Sequence, residues 1–251
     1  MGGGSARWLL IGNSRWHWAT LSDGALHCHD AAPAGSPLPP LQAWAAVGPV
    51  PPQVGLPPQR RLQLADVPLG AAPAWLGIDR ALAGWQAWRE VSAPVLVADA
   101  GTVLSLTRVD GRGCFAGGRL MAGLALQLRA MAGGTAALPR IARAGSLADP
   151  WPDAPADPWP AATELAMVEG VRRALAAAVL AAAREVTGEL AREGARPDTG
   201  LRLVLTGGDG PALAPLIAEA LEPQDPALIL RPALCLEGLM ALRPLRPERD
   251  P

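Results

Sequence analysis

Half of the 251 residues are hydrophobic, 18% are charged and the formal net charge is −1, a balance that buries a sizeable core and excludes both a mainly disordered chain and a basic nucleic-acid-binding face. All 22 basic residues are arginine, which excludes a P-loop lysine, a Schiff-base lysine and a pyridoxal-phosphate anchor, so a phosphate site must rest on backbone N–H groups, hydroxyls, arginine or metal. The three cysteines, Cys28, Cys114 and Cys235, lie far apart and form neither a CxxC pair nor a disulfide framework, which fits a reducing compartment.

Residues 1–5 do not read as a signal peptide, and the longest apolar run, 174–183, is too short to span a bilayer. A soluble cytoplasmic protein is expected, bound to neither membrane nor nucleic acid. Along the chain, the apolar run 8–11 ends in Gly12-Asn13-Ser14; 16–21, the turn Ser22-Asp23-Gly24 and 25–28 follow. This predicts three antiparallel strands joined by tight turns. Residues 31–40 read as a loop, 41–50 as a short helix running into a strand, and the prolines of 51–58 as a break. A helix is predicted over 79–88, with Asp79 as its N-cap.

The pattern then restarts. Residues 94–98 form a buried-strand run that ends in Asp99-Ala100-Gly101-Thr102. Residues 104–109 continue as a strand, Asp110-Gly111-Arg112-Gly113 makes a hairpin turn, and 114–116 begin a third strand. One supersecondary unit therefore occurs twice. Helices are predicted near 124–131, over 163–193, over 213–221 and over 234–242. A strand at 201–205 ends in Thr206-Gly207-Gly208-Asp209. The segment 149–160 repeats Asp-Pro-Trp-Pro and reads as an exposed loop. Domains are expected at 1–90 and 91–251, with a cleft between them.

Three Gly turns thus close three apolar strands. Ligands of α/β sheets bind outside the carboxyl ends of strands. Glycine admits close approach of a phosphate, and Ser or Thr adds a hydroxyl donor. Each turn alone is equally an ordinary turn; the three together, two of them with an acidic residue, point to a nucleotide site. Asp79, in Gly77-Ile78-Asp79-Arg80, is either a helix cap or a general base with Arg80 beside it for an anion. His27 and His29 would share one strand face, but no third ligand cluster accompanies them.

The ordered set of motifs resembles the type III pantothenate kinases. It comprises Ile11-Gly12-Asn13-Ser14, Gly77-Ile78-Asp79-Arg80, Asp99-Ala100-Gly101-Thr102, Phe115-Ala116-Gly117-Gly118, Thr135-Ala136-Ala137-Leu138-Pro139 and Thr206-Gly207-Gly208-Asp209. The resemblance implies an α/β protein of the actin/sugar-kinase/Hsp70-like fold, with two ribonuclease H-like domains, an interdomain cleft and usually a homodimer. It implies ATP-dependent phosphorylation of pantothenate to 4'-phosphopantothenate, the first step of coenzyme A biosynthesis. By position, Leu10, Ile11, Gly12, Asn13, Ser14, Arg15, Trp16, His17 and Thr102 would bind ATP. Gly77, Ile78, Asp79, Arg80 and Thr163 would bind pantothenate, with Asp79 as proton acceptor. Asp99 would hold a monovalent cation, K⁺ or NH₄⁺, and Mg²⁺ would accompany the nucleotide. Leu10 stands where the family's first motif carries Asp, a carboxylate that commonly organises the metal-bound nucleotide in this superfamily. A catalytically weakened ligand-binding or regulatory homologue is therefore the alternative expectation, and a kinase of the same fold for a different small alcohol is another.

Overall fold

The computed structural model describes residues 6–22, 24–31, 38–48, 50–141, 157–194 and 200–243. The first sheet is a meander of β1 (Ala6–Ile11), β2 (Trp16–Ser22) and β3 (Ala25–Ala31), to which β4 (Ala43–Ala46) returns parallel to β1, giving the order β3-β2-β1-β4. The second sheet repeats the plan. β5 (Val95–Ala100), β6 (Val103–Val109) and β7 (Phe115–Ala122) form the meander, β8 (Arg202–Thr206) lies parallel to β5, and β9 (Leu228–Leu230) extends the edge, in the order β7-β6-β5-β8-β9. Two sheets of one strand order, joined by helices, are two ribonuclease H-like halves, and the chain has the expected actin/sugar-kinase/Hsp70-like fold.

Helices α1 (Ile78–Val91) and α5 (Leu234–Leu242) fill the space between the sheets. Their apolar residues Leu82, Trp85, Leu236 and Leu239 join one core with Trp8 and Leu10 of the first sheet and Val95, Val97 and Val204 of the second. At Gly238 the two helices touch: a Cβ there would lie 2.9 Å from the Leu82 carbonyl oxygen. Helices α2 (Leu124–Gly134), α3 (Thr163–Arg192) and α4 (Gly210–Ala220) cover the other face of the second sheet. Among the described residues no α-helix covers the outer face of the first sheet; Leu9, Trp16, Trp18 and Trp44 pack instead with Leu41 and with Val54 of a short 3-10 turn in the proline-rich connections, and Trp44 Nε1 donates to the Pro57 carbonyl at 2.8 Å.

Three local expectations need correction. Residues 41–50 hold only the strand Ala43–Ala46 and no helix; its alanines favour helix locally, but pairing with β1 and burial between sheet and α1 override that preference. Asp79 is not the N-cap of α1. Gly77 is, and Asp79 is the second helical residue. Helix α4 begins at Gly210 rather than 213, because Pro211 sits in the first turn, where its missing N–H costs nothing. Strand β9 was not predicted. Most of the expected 149–160 loop lies outside the described residues. No helix among them is long and apolar enough to cross a membrane.

Candidate active site

Parallel pairing sets the carboxyl ends of β5 and β8 side by side, and contacts from Ser14 and Arg15 bring the turn after β1 against theirs, so the three Gly turns meet. The first is closed by Gly12 N–H donating to Arg15 O at 2.9 Å. Across the gap between the halves, the Ser14 and Thr102 hydroxyls are 2.7 Å apart. The third turn is tied to the second by Asp209 N–H donating to Ala100 O at 2.8 Å. Gly207 has φ +86°, and a Cβ on it would lie 2.4 Å from Asp99 Oδ1 and 2.5 Å from Ala100 O. Arg15 Nη1 lies 3.2 Å from the Cβ position of Gly208, which brings the first turn against the third. Gly123 supports the second from behind, donating its N–H to Thr102 O at 3.0 Å.

Asp79 enters this cleft from the first turn of α1. Its Oδ1 accepts the Arg80 backbone N–H at 2.8 Å. Gly77 is required beside it, since a Cβ there would come within 2.5 Å of Asp79 Oδ1. Burial pushes the Asp79 carboxyl above its ordinary value; the Arg80 N–H, the Arg80 charge and the charge of His17 oppose the shift without cancelling it. Asp99 lies deeper, at the end of β5, enclosed by protein yet with part of its surface open to the cleft. Burial, then the charge of Asp79, pushes it up to about 7, with Asp209 adding and His17 opposing. Cys235 of α5 closes the floor, its Sγ 3.5 Å from the Asp79 carbonyl oxygen and 4.0 Å from Asp99 Oδ2.

Arg80 does not pair with the Asp79 carboxylate among the described ion pairs. It leans onto the second sheet: its Nε donates to Thr107 Oγ1 at 3.3 Å and its guanidinium lies 5.9 Å from the Phe115 ring centre. Trp75, 71% exposed, stands edge-on to Phe115 with ring centres 6.1 Å apart. Trp75 and Phe115 thus join Arg80 in a rim beside Asp79; of the three, only Arg80 was expected from the sequence as a binding residue. Thr163 is the exposed first residue of α3 and makes no described contact with Asp79 or the three turns. A separate cavity of about 370 Å³ lies near it, lined by Trp159, Glu169, Gly170 and Arg173 among others; neither Asp79 nor any Gly turn borders it.

Leu10 is buried in the core below the cleft, directly across β1–β2 from His17 and on the same face. Ile11 and Trp16 are buried on the opposite face of that sheet. His29 stacks on Trp18, with ring centres 6.3 Å apart. Among the described residues no three His, Cys, Asp or Glu side chains gather as a metal cluster.

Comparison with known proteins supplies the remaining finding. A family model described as type III pantothenate kinase matches residues 55–185. A type III pantothenate kinase of Synechococcus elongatus is 35% identical over 252 residues, covering 92% of this chain and 93% of that protein. One of Thermosynechococcus vestitus is 35% identical, covering 85% of this chain and 81% of that protein. A solved structure from Campylobacter jejuni, of a conserved protein assigned to the Baf family of transcriptional activators, superposes with a TM-score of 0.52 at 18% identity, covering 94% of this chain and 96% of its own. That likeness speaks for the fold alone.

Proposed function

The chain belongs to the type III pantothenate kinase family, and from that premise we propose how its residues carry out the transfer. The reaction is the ATP-dependent phosphorylation of pantothenate to 4'-phosphopantothenate, the first step of coenzyme A biosynthesis. The non-catalytic alternative raised by Leu10 is not favoured, because relatives matching about nine-tenths of the chain are named as kinases.

The observation that carries the site assignment is the 2.7 Å approach of Ser14 to Thr102 across the cleft, next to Asp79. Residues 1–90 and 91–251 supply its two walls. The segment Leu10 to His17, with Thr102, holds ATP: the backbone N–H groups of Asn13, Gly207 and Gly208, with the two hydroxyls, cradle the phosphate chain, while Leu10, Ile11 and Trp16 support the turn from the core. Gly77, Asp79 and Arg80 hold pantothenate, with Ile78 anchoring them in the core; Thr163, which the family resemblance adds, meets neither Asp79 nor the Gly turns among the described contacts. The primary hydroxyl oxygen attacks the γ-phosphorus, its bond to the β–γ bridging oxygen breaks, and ADP leaves. Asp79 accepts the hydroxyl proton. A desolvated carboxylate with a raised pKa is the stronger base, and such transfer otherwise needs mainly alignment and charge stabilisation. Mg²⁺ carried on the phosphates would offset their charge. ADP release is expected to require pantothenate, and an ATPase rate indifferent to pantothenate would defeat the reading. An ATP-consuming reaction also supports the cytoplasmic location expected from the sequence.

Asp99 fits a monovalent cation. No cation pairs with it among the described residues, and its carboxylate and the nearby Ala100 carbonyl are hard oxygen donors. Its folded-state pKa of about 7 exceeds the unfolded value of roughly 4. Stability from this group is therefore full below pH ~4 and is lost as pH rises toward 7 in cation-free buffer. K⁺ binds the ionised form. We expect the melting-temperature gain from K⁺ or NH₄⁺, measured against choline chloride, to be larger at pH 8 than at pH 6. Asp99→Asn should abolish that gain; an undiminished gain would remove Asp99 from the role.

A homodimer is the further proposal. Gly170, Ala174, Ala177 and Ala181 form an exposed small-residue stripe on α3, with nothing within 4 Å of a Cβ built on Gly170. Helices can approach closely along such a stripe. Light scattering should give twice the chain mass; a monomer at working concentration would exclude this assembly.

A further inference from the structure

Behind the first Gly turn, Asp30 on the edge strand β3 reaches the side chains of His17 and Arg15 at once. It stands directly opposite His17 in the β2–β3 register, so both side chains share one face. His17 Nδ1–H donates to Asp30 Oδ1 at 2.7 Å, and Arg15 Nη1 donates to Asp30 Oδ2 at 3.2 Å. All three are partly enclosed, with side-chain exposures of 28% for Asp30, 33% for His17 and 18% for Arg15. Burial alone would raise the Asp30 carboxyl, but its bonds to His17 and Arg15 outweigh that and hold it below its ordinary value. The group is therefore a carboxylate gripping two donors.

The same Arg15 nitrogen, and the far nitrogen of His17, also lie against the Gly turns of the cleft. His17 Nε2 lies 3.2 Å from the Cβ position of Gly12 and Arg15 Nη1 lies 3.2 Å from that of Gly208, so they touch the first and third Gly turns. The charge of His17 is also felt by Asp79 and Asp99 on the cleft floor. In a chain without lysine, the Arg15 guanidinium at this place is an available cation for a phosphate chain, with the His17 imidazole beside it. Long side chains held by a common carboxylate lose less freedom when an anion arrives. An imidazole bonded through Nδ1 to a carboxylate has its Nε2 direction fixed.

We propose that Asp30 is a positioning residue for ATP: from β3 it aims Arg15 and His17 into the cleft, where they meet the phosphate chain. The proposal rests on the assignment of residues 10–17 to ATP. It deepens that assignment by bringing in a residue outside the motif, on a strand whose first six residues, Asp30 included, are solvent-exposed as whole residues.

The test is steady-state kinetics of the full chain. Asp30→Asn is expected to raise KM for ATP by about 5- to 20-fold, with kcat and KM for pantothenate changed less than about 2-fold. Because Asp30 acts through Arg15 and His17 together, adding Asp30→Asn to the pair Arg15→Gln with His17→Gln should lose little beyond that pair, whereas an independent role would multiply. An unchanged KM for ATP, a loss confined to kcat or to pantothenate, or multiplying effects would overturn the proposal. Ser14→Ala, run in parallel, separates the layers. A normal KM for ATP in that variant removes the ATP assignment itself, while a raised one with Asp30→Asn unaffected removes only this inference. Should Asp30→Asn fail to fold, Arg15→Gln and His17→Gln decide, and the proposal falls if neither raises KM for ATP.

Discussion

Asp79→Asn is expected to lower turnover by about 10²- to 10⁴-fold, the usual worth of a general base, with both KM values nearly unchanged. Asparagine keeps the shape and the acceptor that Arg80 N–H uses at 2.8 Å, but it cannot take a proton from the pantothenate hydroxyl. The variant should also melt no lower than the parent at pH 8. Asp79 has a raised pKa because burial strips water from its charge, so above that pKa the ionised carboxylate costs stability, and the neutral amide removes the cost. Loss of activity with retained or increased melting temperature is the signature of a group kept for chemistry. Near-normal turnover would take the role away from Asp79, and a collapsed fold would show that the carboxylate is structural.

The second large effect belongs to a residue with no side chain. Gly207→Ala is expected to cost about 2–4 kcal/mol in denaturant unfolding and to cut kcat/KM for ATP by about 10²-fold or more. Its φ of +86° already disfavours any L side chain, and the new methyl would sit 2.4 Å from Asp99 Oδ1 and 2.5 Å from the Ala100 carbonyl oxygen. Those atoms belong to the backbone turn and the buried carboxylate, so relief means moving the turn that Thr102 belongs to. Gly133→Ala provides the comparison. That glycine lies in α2 with ordinary φ and nothing within 4 Å of a Cβ, so the same change should be neutral or slightly stabilising. Equal effects at the two positions would refute the crowding argument.

Much of this was legible in the amino-acid order. Apolar runs closed by glycine turns marked β1, β5 and β8, and their repetition marked two like halves. What the order could not show was convergence, because the contact of Ser14 with Thr102 spans 88 residues and depends on how the sheets face each other. β4 was misread because its alanines are chosen for the narrow gap beside α1, not for local preference. Asp79 was placed at the cap, two helix positions too early, because a carboxylate before an apolar helix looks like a cap, whereas Gly77 holds that place. Asp30 had a usable signal that went unread. A two-residue connection between Ser22 and Ala25 fixes the hairpin register, and counting back five pairs sets His17 opposite Asp30. Trp75 against Phe115 had none, since a loop and a distant strand meet only in three dimensions.

Helix α5 carries a consequence for biogenesis. Its residues 234–242 complete the hydrophobic interior of the first half, against Trp8, Leu10 and Leu82, although nearly the whole second half separates them in the chain. During translation the amino-terminal half therefore emerges with α1 over its inner face but with the part that α5 covers still open, until residues 234–242 have been made. That half cannot finish its core before the other is almost complete.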